Sequence, residues 1–262
     1  MMKNAIVAGA TSFVGFSLCQ KLIRREVEVY GVELHEKKFD LEEDKLMEIG
    51  RNAFFQFQGK VDKGNLNGDE KFDAAYFFLE AGELFEKEYL ERFTYLSNLS
   101  RKVFIVAPQN MAQRGNFLQT HLEGMQTTLV IHPALFGPWQ PDKEPIQRKI
   151  MDELTGKPSS DKLEMENQDI LFVDDITEVL INLAEKENDT QNRTVRLANK
   201  DKKALELLAH ELDISLKDTE VKPDNEWEKG AEVIYVEASL NVTEALAIQR
   251  IHAAKRLKID SH

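Results

Sequence analysis

Lys3-Asn4-Ala5-Ile6-Val7-Ala8-Gly9-Ala10-Thr11-Ser12-Phe13-Val14-Gly15 is the stretch whose reading decides the fold. The apolar run Lys3 to Ala8 leads into seven residues that begin with small side chains, and Val14, Leu18 and Leu22 then recur at helical spacing. That pattern predicts a strand, a tight turn and a helix. The first N–H groups of a helix have no partner inside it, and with the helix dipole they make a site for a pyrophosphate. Gly9 allows the turn, and Gly15 lets the helix lie close to the strand. Ser12 stands where a second glycine would allow close backbone approach. In a left-handed conformation its Cβ costs about 1–2 kcal/mol, which its hydroxyl offsets in part by meeting a phosphate oxygen. The residues expected at the phosphates are thus Gly9, Thr11, Ser12, Phe13, Val14 and Gly15.

Working outward, Glu26 to Glu33 (EVEVYGVE) reads as a second strand that ends in a carboxylate. An acid at this point accepts hydrogen bonds from an adenosine ribose and repels a 2′-phosphate, so Glu33 favours NAD over NADP. His35 and Lys37–Lys38 are close enough to contact a phosphate instead, which keeps NADP open.

Apolar and amphipathic runs alternate through the first half of the chain. Strands are predicted near 3–8, 27–33, 53–57, 73–79, 102–107 and 127–132, with helices near 13–25, 42–50, 83–101 and 116–126. Such alternation specifies an α/β fold, a doubly wound parallel sheet of Rossmann type with right-handed crossovers. Gln58 to Glu70 is polar and rich in turn residues, and reads as a surface loop. The 83–101 helix carries Phe85, Tyr89, Phe93 and Leu96 on one face, broadened by Leu84, Tyr95 and Leu99, an apolar arc wide enough to serve a homodimer as well as the core.

After Gly137-Pro138 the pattern loosens into the proline-rich turn PWQPDKEP, a helix at 145–155, a strand at 169–173 and a last amphipathic helix near 241–256. Asp175-Ile176-Thr177-Glu178 reads as a capping box. The expected organisation is a dinucleotide-binding core over 1–140 and a C-terminal substrate or cap region over 141–262, which partly returns to the core sheet near 169–200.

Composition narrows the partners. Forty-six acidic residues against thirty-four Lys and Arg leave a net charge of −12, which repels nucleic acid and anionic lipid. Cys19 is the only cysteine, so no internal disulfide forms, and a reducing cytoplasm is the expected location. Gly9, Thr11, Ser12 and Gly15 interrupt the N-terminal apolar stretch, which argues against a signal peptide. No apolar run is long enough to cross a membrane, and no metal-ligand pattern stands out.

GATSFVG after the first strand, the helix near Asn116, HPALFGP at 132–138 and FVDDITEVL at 172–180 together resemble the NAD-dependent epimerase/dehydratase branch of the short-chain dehydrogenase/reductase superfamily, in order and spacing, across about 1–200. The resemblance implies a bound nicotinamide cofactor, a substrate held by the C-terminal part, and a Tyr with a Lys four residues later on one helix. Residues i and i+4 are neighbours on a helix, so the ammonium lowers the phenol pKa while the phenol exchanges a proton with the substrate.

Here Phe117 falls at the Tyr position and His121 at the Lys position, and a phenyl ring has no proton to exchange. The fifth strand runs into Pro108 and Gln109, where the family places a hydroxyl. None of Tyr30, Tyr76, Tyr89, Tyr95 or Tyr235 is followed by Lys at the fourth position. His132 replaces the family's arginine, Ala134 stands near where sugar-nucleotide enzymes present an asparagine, and Lys60 follows Gly59 where an aspartate approaches the adenine.

Three functions stay open on this reading. One is a non-catalytic or regulatory dinucleotide-binding protein, a pseudoenzyme. Another is an oxidoreductase or epimerase with a rebuilt acid/base, in which His121 gives the proton and Gln109 orients the substrate oxygen. A third is a protein-interaction module without nucleotide.

Overall fold

The computed structural model describes residues 1–34, 41–60, 71–79, 87–122, 124–157, 163–166, 169–186, 192–217 and 230–259. Two compact units emerge: Met1–His132 with Thr177–Arg196 and Gly230–Glu232, and Pro133–Ile176 with Leu197–Lys229 and Val233–His262.

The chain opens with β1 (Asn4–Ala8), α1 (Phe13–Arg24), β2 (Glu28–Glu33), α2 (Glu42–Ile49) and β3 (Phe55–Lys60). β4 (Phe72–Phe78), α3 (Lys87–Asn98) and β5 (Ser100–Pro108) follow, then a 3-10 turn at Gln109–Met111, α4 (Ala112–His121) and β6 (Thr127–His132). β7 (Ala134–Phe136), α5 (Pro145–Thr155), β8 (Glu164–Glu166), β9 (Ile170–Phe172) and α6 (Val173–Glu185) come next. The last elements are β10 (Arg193–Asn199), α7 (Ala204–Leu212), β11 (Ser215–Lys217), β12 (Glu232–Val236) and α8 (Val242–Ile259).

The main sheet has eight strands in the order β12-β10-β6-β5-β4-β1-β2-β3. From β3 to β6 that is the doubly wound order 3-2-1-4-5-6, and each of these neighbours pairs in parallel. The strand order reverses between β1 and β4, so the turn after Ala8 opens at the switch point, where such sheets bind ligands. Ala5, Ile6, Val7 and Ala8 are all buried, which is why β1 reads as an unbroken apolar run instead of an alternating one. Aromatic pairs fill the interior beside it: Tyr76 stacks on Phe104 at 5.0 Å and Phe77 meets Phe93 edge-on at 4.5 Å.

An ion-pair cluster ties α1 to α6 within the first unit. Glu178 accepts from Arg25 at 2.5 Å and pairs with Lys21 at 3.2 Å. Burial pushes its carboxyl up, but the bonds and charges of Arg25 and Lys21 outweigh that and hold its pKa below the ordinary value. A depressed folded pKa stabilises above the unfolded value near 4.3, and the gain is lost as pH falls through the folded one. Glu178 is 40% exposed, so Glu178→Gln is expected to cost no more than about 1 kcal/mol at neutral pH, in urea unfolding, and the gap to wild type should close as pH falls through the folded pKa.

In the second unit β7 and β9 pair in parallel, and Phe136, Ile150, Phe172, Leu208, Leu212 and Leu246 are among its core residues. The turn PWQPDKEP is pinned from several sides. Gln140 donates to the Leu135 carbonyl at 2.8 Å, Gln249 donates to Gln140 and Gln147 at 2.8 Å each, and Arg256 pairs with Asp142 at 3.2 Å.

Several local expectations are corrected. The helix read near 116–126 spans Ala112–His121. Gly115 lies inside it, where a Cβ would stand 2.5 Å from Leu129 Cδ1 and 3.4 Å from Ala107 Cβ; the glycine is what lets α4 lie on the sheet. Asp175 does not cap α6, which starts two residues earlier; its Oδ1 accepts from the Ser239 N–H at 3.2 Å, and Glu178 turns to α1. Gln58–Lys60 extends β3, while 61–70 lies outside the described residues, as do Leu84 and Phe85.

Candidate functional site

The site is the turn between β1 and α1. Gly9 has φ +84°, a backbone that favours glycine, and its N–H bonds to the Val32 carbonyl on β2 at 2.9 Å. Ser12 is the N-cap of α1 with φ −64° and ψ 168°, an extended conformation, so the strain expected of a left-handed serine is absent. Its hydroxyl is also not directed to a phosphate. It donates to the Gly9 carbonyl at 2.7 Å and accepts from the Gly15 N–H at 3.1 Å, closing the turn on itself. Gly15 is where α1 touches the turn: a Cβ there would stand 2.0 Å from the Gly9 oxygen.

The polar groups of the turn can be followed one by one. The N–H groups of Gly9 and Ala10 bond to Val32, that of Ser12 to Gly9, that of Thr11 to Glu33, that of Gly15 to Ser12, and that of Phe16 to the Ser12 carbonyl. Among the described residues, the Phe13 and Val14 N–H groups bond to nothing in the protein. They are the first two of α1, at the positive end of its dipole, on the edge of the sheet where β1 ends. This arrangement fits one anionic phosphate group.

Glu33 is buried. One oxygen, Oε1, accepts from both the Thr11 N–H at 2.8 Å and the Thr11 hydroxyl at 2.9 Å. On the far side of the same residue, the ammonium of Lys45 donates to the Thr11 carbonyl at 2.6 Å, and Lys45 is only 2% exposed. Arg92 of α3, also buried, donates to the Leu34 carbonyl at 2.9 Å and to Glu88. The buried acid also acts on Cys19, whose thiol is pushed up first by burial and then by the Glu33 charge; it is a packing residue and a poor nucleophile. His35 and Lys37–Lys38 lie outside the described residues, as does the Lys60 side chain.

Neither Lys45 nor Arg92 carries a signal in the sequence. Lys45 sits in EEDKLMEI, where a solvated lysine is the default, and only the packing of α2 on the turn reveals it.

The other candidates are separated by the direction of α4. Gln109 follows β5 directly and is exposed on the same edge of the sheet as Gly9. From there α4 runs back against the strands: Gln119 donates to the carbonyls of Thr127 and Arg193, at the opposite edge where β6 and β10 begin. Phe117 is 49% exposed and stacks on His121, whose ring lies 6.3 Å away, and His121 lines a groove with Leu90, Thr94, Tyr95 and Asn98 of α3. The structure therefore brings Gly9, Thr11, Ser12, Phe13, Val14, Gly15 and Glu33 together, adds Gln109 at the same edge, and does not bring Phe117 or His121 to them.

All five tyrosines are elsewhere. Tyr30 bonds Gln58, Tyr76 is buried against the Leu180 carbonyl, Tyr89 and Tyr95 are on α3, and Tyr235 is on β12. Among the described residues no group of three or more His, Cys, Asp or Glu is disposed to hold a metal ion, and no helix is long and apolar enough to cross a membrane.

No family model and no curated protein matches the sequence. Solved structures do match in fold. A UDP-glucuronic acid 4-epimerase from Bacillus cereus, in complex with UDP-glucuronic acid and NAD, superimposes with a TM-score of 0.67 at 14% identity over 97% of this chain and 99% of that one. TunA, an NAD-dependent NDP-hexosamine 5,6-dehydratase, gives 0.61 at 11% identity over 98% and 99% of the two chains. A UDP-galactose 4-epimerase gives 0.61 at 16% over 97% and 99%. At these identities the likeness is one of fold.

Proposed function

We propose that this chain, which has the fold of NAD-dependent epimerases and dehydratases, is a non-catalytic dinucleotide-binding protein that acts in the cytoplasm as a sensor or as the silent partner of an active enzyme. The observation that carries the first half is the pair of unengaged N–H groups, Phe13 and Val14, at a turn whose other donors are spent. They support a pyrophosphate at the edge of the sheet where the strand order reverses. Gly9 supplies the turn's positive φ, Gly15 lets α1 lie against the Gly9 carbonyl, and Ser12 fixes the helix start.

A nicotinamide dinucleotide, when bound, supplies a hydride acceptor or donor and needs from the protein mainly orientation and a proton relay. The orientation is available here. Among the described residues a tyrosine relay is not, because only three residues separate β5 from α4, and α4 carries no tyrosine. Gln109 can donate or accept a hydrogen bond but cannot titrate. The position of His121 at the opposite edge speaks against its serving as a replacement acid.

The test combines binding with turnover. NAD is expected to bind in calorimetry, while incubation with NAD and UDP-glucuronic acid or UDP-galactose leaves no epimer or reduced cofactor above background. Turnover at rates within the 10²–10⁴-fold loss typical of a missing acid/base would show a rebuilt relay and overturn the non-catalytic reading. The double substitution Phe117→Tyr, His121→Lys is expected to restore nothing, since both side chains are remote from the turn; a gain of about tenfold or more over wild type would place α4 at the reaction centre after all.

A further inference from the structure

The acid at the end of β2 is the residue from which a preference for NAD was expected, and the structure gives its carboxylate other work. Two properties make an acid at this point reject a 2′-phosphate: an oxygen offered to the ribose hydroxyls, and an uncompensated negative charge. In Glu33 one of the two oxygens is engaged within the protein, and a buried ammonium is bonded to the residue that engages it. Its Oε1 is taken twice by Thr11, through the N–H at 2.8 Å and the hydroxyl at 2.9 Å. The ammonium of a second buried residue, Lys45, is held 2.6 Å from the carbonyl of the same Thr11. Glu33 is 5% exposed and Lys45 2%, so neither charge is dissipated by water. A third buried charge, the Arg92 guanidinium, is fixed on the adjoining Leu34 carbonyl, with Glu88 as its acid.

We propose that Glu33 and Lys45 are positioning residues that clamp Thr11 from both sides, and that the site consequently takes NAD and NADP with nearly equal affinity. This rests on the dinucleotide reading above and deepens it. The clamp has a physical purpose beyond charge. With its N–H, hydroxyl and carbonyl all bonded, Thr11 is held in one position two residues before the unengaged N–H of Phe13. Lys45 also spans α2 to the turn, its ammonium 6.0 Å from the centre of the Phe16 ring, so the helix after β2 is fixed to the helix after β1 through one side chain.

Calorimetry on the full chain decides the matter, with NAD and NADP each titrated into wild type, Glu33→Gln and Lys45→Met. Wild type is expected to bind the two within about threefold of each other. Glu33→Gln keeps an acceptor for Thr11 and removes a charge already offset, so the ratio should move by less than about threefold. Lys45→Met removes the ammonium bonded to Thr11 and should shift the ratio at least about tenfold toward NAD. A merely structural role would weaken both ligands together and leave the ratio unmoved.

Wild type preferring NAD more than about thirtyfold, with Glu33→Gln relieving the preference, would make Glu33 the ribose selector and overturn the clamp. An unmoved ratio in a folded Lys45→Met would overturn the role of Lys45. Failure of both dinucleotides to bind would overturn the dinucleotide reading itself, and the proposal with it. Should Lys45→Met not fold, the wild-type ratio and Glu33→Gln decide alone.

Discussion

Gly15→Ala is expected to destabilise the protein by about 3 kcal/mol. The added Cβ would stand 2.0 Å from the Gly9 carbonyl oxygen and 2.8 Å from the Ser12 hydroxyl. The first of these is backbone and has no rotamer to escape into. α1 must therefore lift from the turn, and lifting it breaks the bond from the Gly15 N–H to Ser12 and re-aims the N–H groups of Phe13 and Val14. Stability and dinucleotide affinity should fall together. Urea unfolding measures the first and calorimetry the second. A loss below about 1 kcal/mol with NAD binding intact would mean that the close approach of α1 to Gly9 is not what shapes the site.

In the second unit, Gly137→Ala should cost a similar amount for a partly different reason. Gly137 has φ +141°, a backbone that residues with a side chain rarely adopt, and a Cβ there would meet Val173 Cγ1 at 2.7 Å and the Phe172 ring at 3.0 Å. Strain and overpacking add, to roughly 3 kcal/mol. The same substitution at Gly124, which has φ +81° and nothing within 4 Å, tests strain alone and should cost no more than about half as much. Equal costs at the two positions would show that packing around Phe172 and Val173 contributes nothing.

The order of elements was legible in the sequence wherever a strand is covered on both faces. β1, β4, β5 and β6 are apolar runs without alternation, and their limits lie within two residues of those observed. The start of α4 was not legible: Gly115 makes room for Leu129, and the partner of a glycine is invisible in a linear chain. The turn at Gly9 sits where local chemistry put it, whereas the Ser12 hydroxyl, expected at a phosphate, caps α1 instead. What local chemistry cannot supply is the orientation of a side chain toward a distant segment. Glu33 was readable as an acid at the end of β2, but not as an acceptor for Thr11, and Lys45 gave no sign of being buried. The i and i+4 relation of Phe117 and His121 is likewise real on α4, yet the helix carries both away from the turn, a fact that depends on where α4 begins and which face Gly115, Leu118 and Gln119 bury.

Thermal unfolding of the purified chain over a concentration series of NAD tests the central claim most directly, because a ligand bound only to the folded state stabilises it by RT ln(1 + [L]/Kd). The account predicts a midpoint that climbs with the logarithm of NAD concentration and reaches about 2.7 kcal/mol of added stability at a hundredfold excess over Kd. A midpoint unmoved by millimolar NAD, NADH, NADP and NADPH alike would contradict it, and would leave the Phe13 and Val14 N–H groups as an ordinary helix start in a protein that binds other proteins.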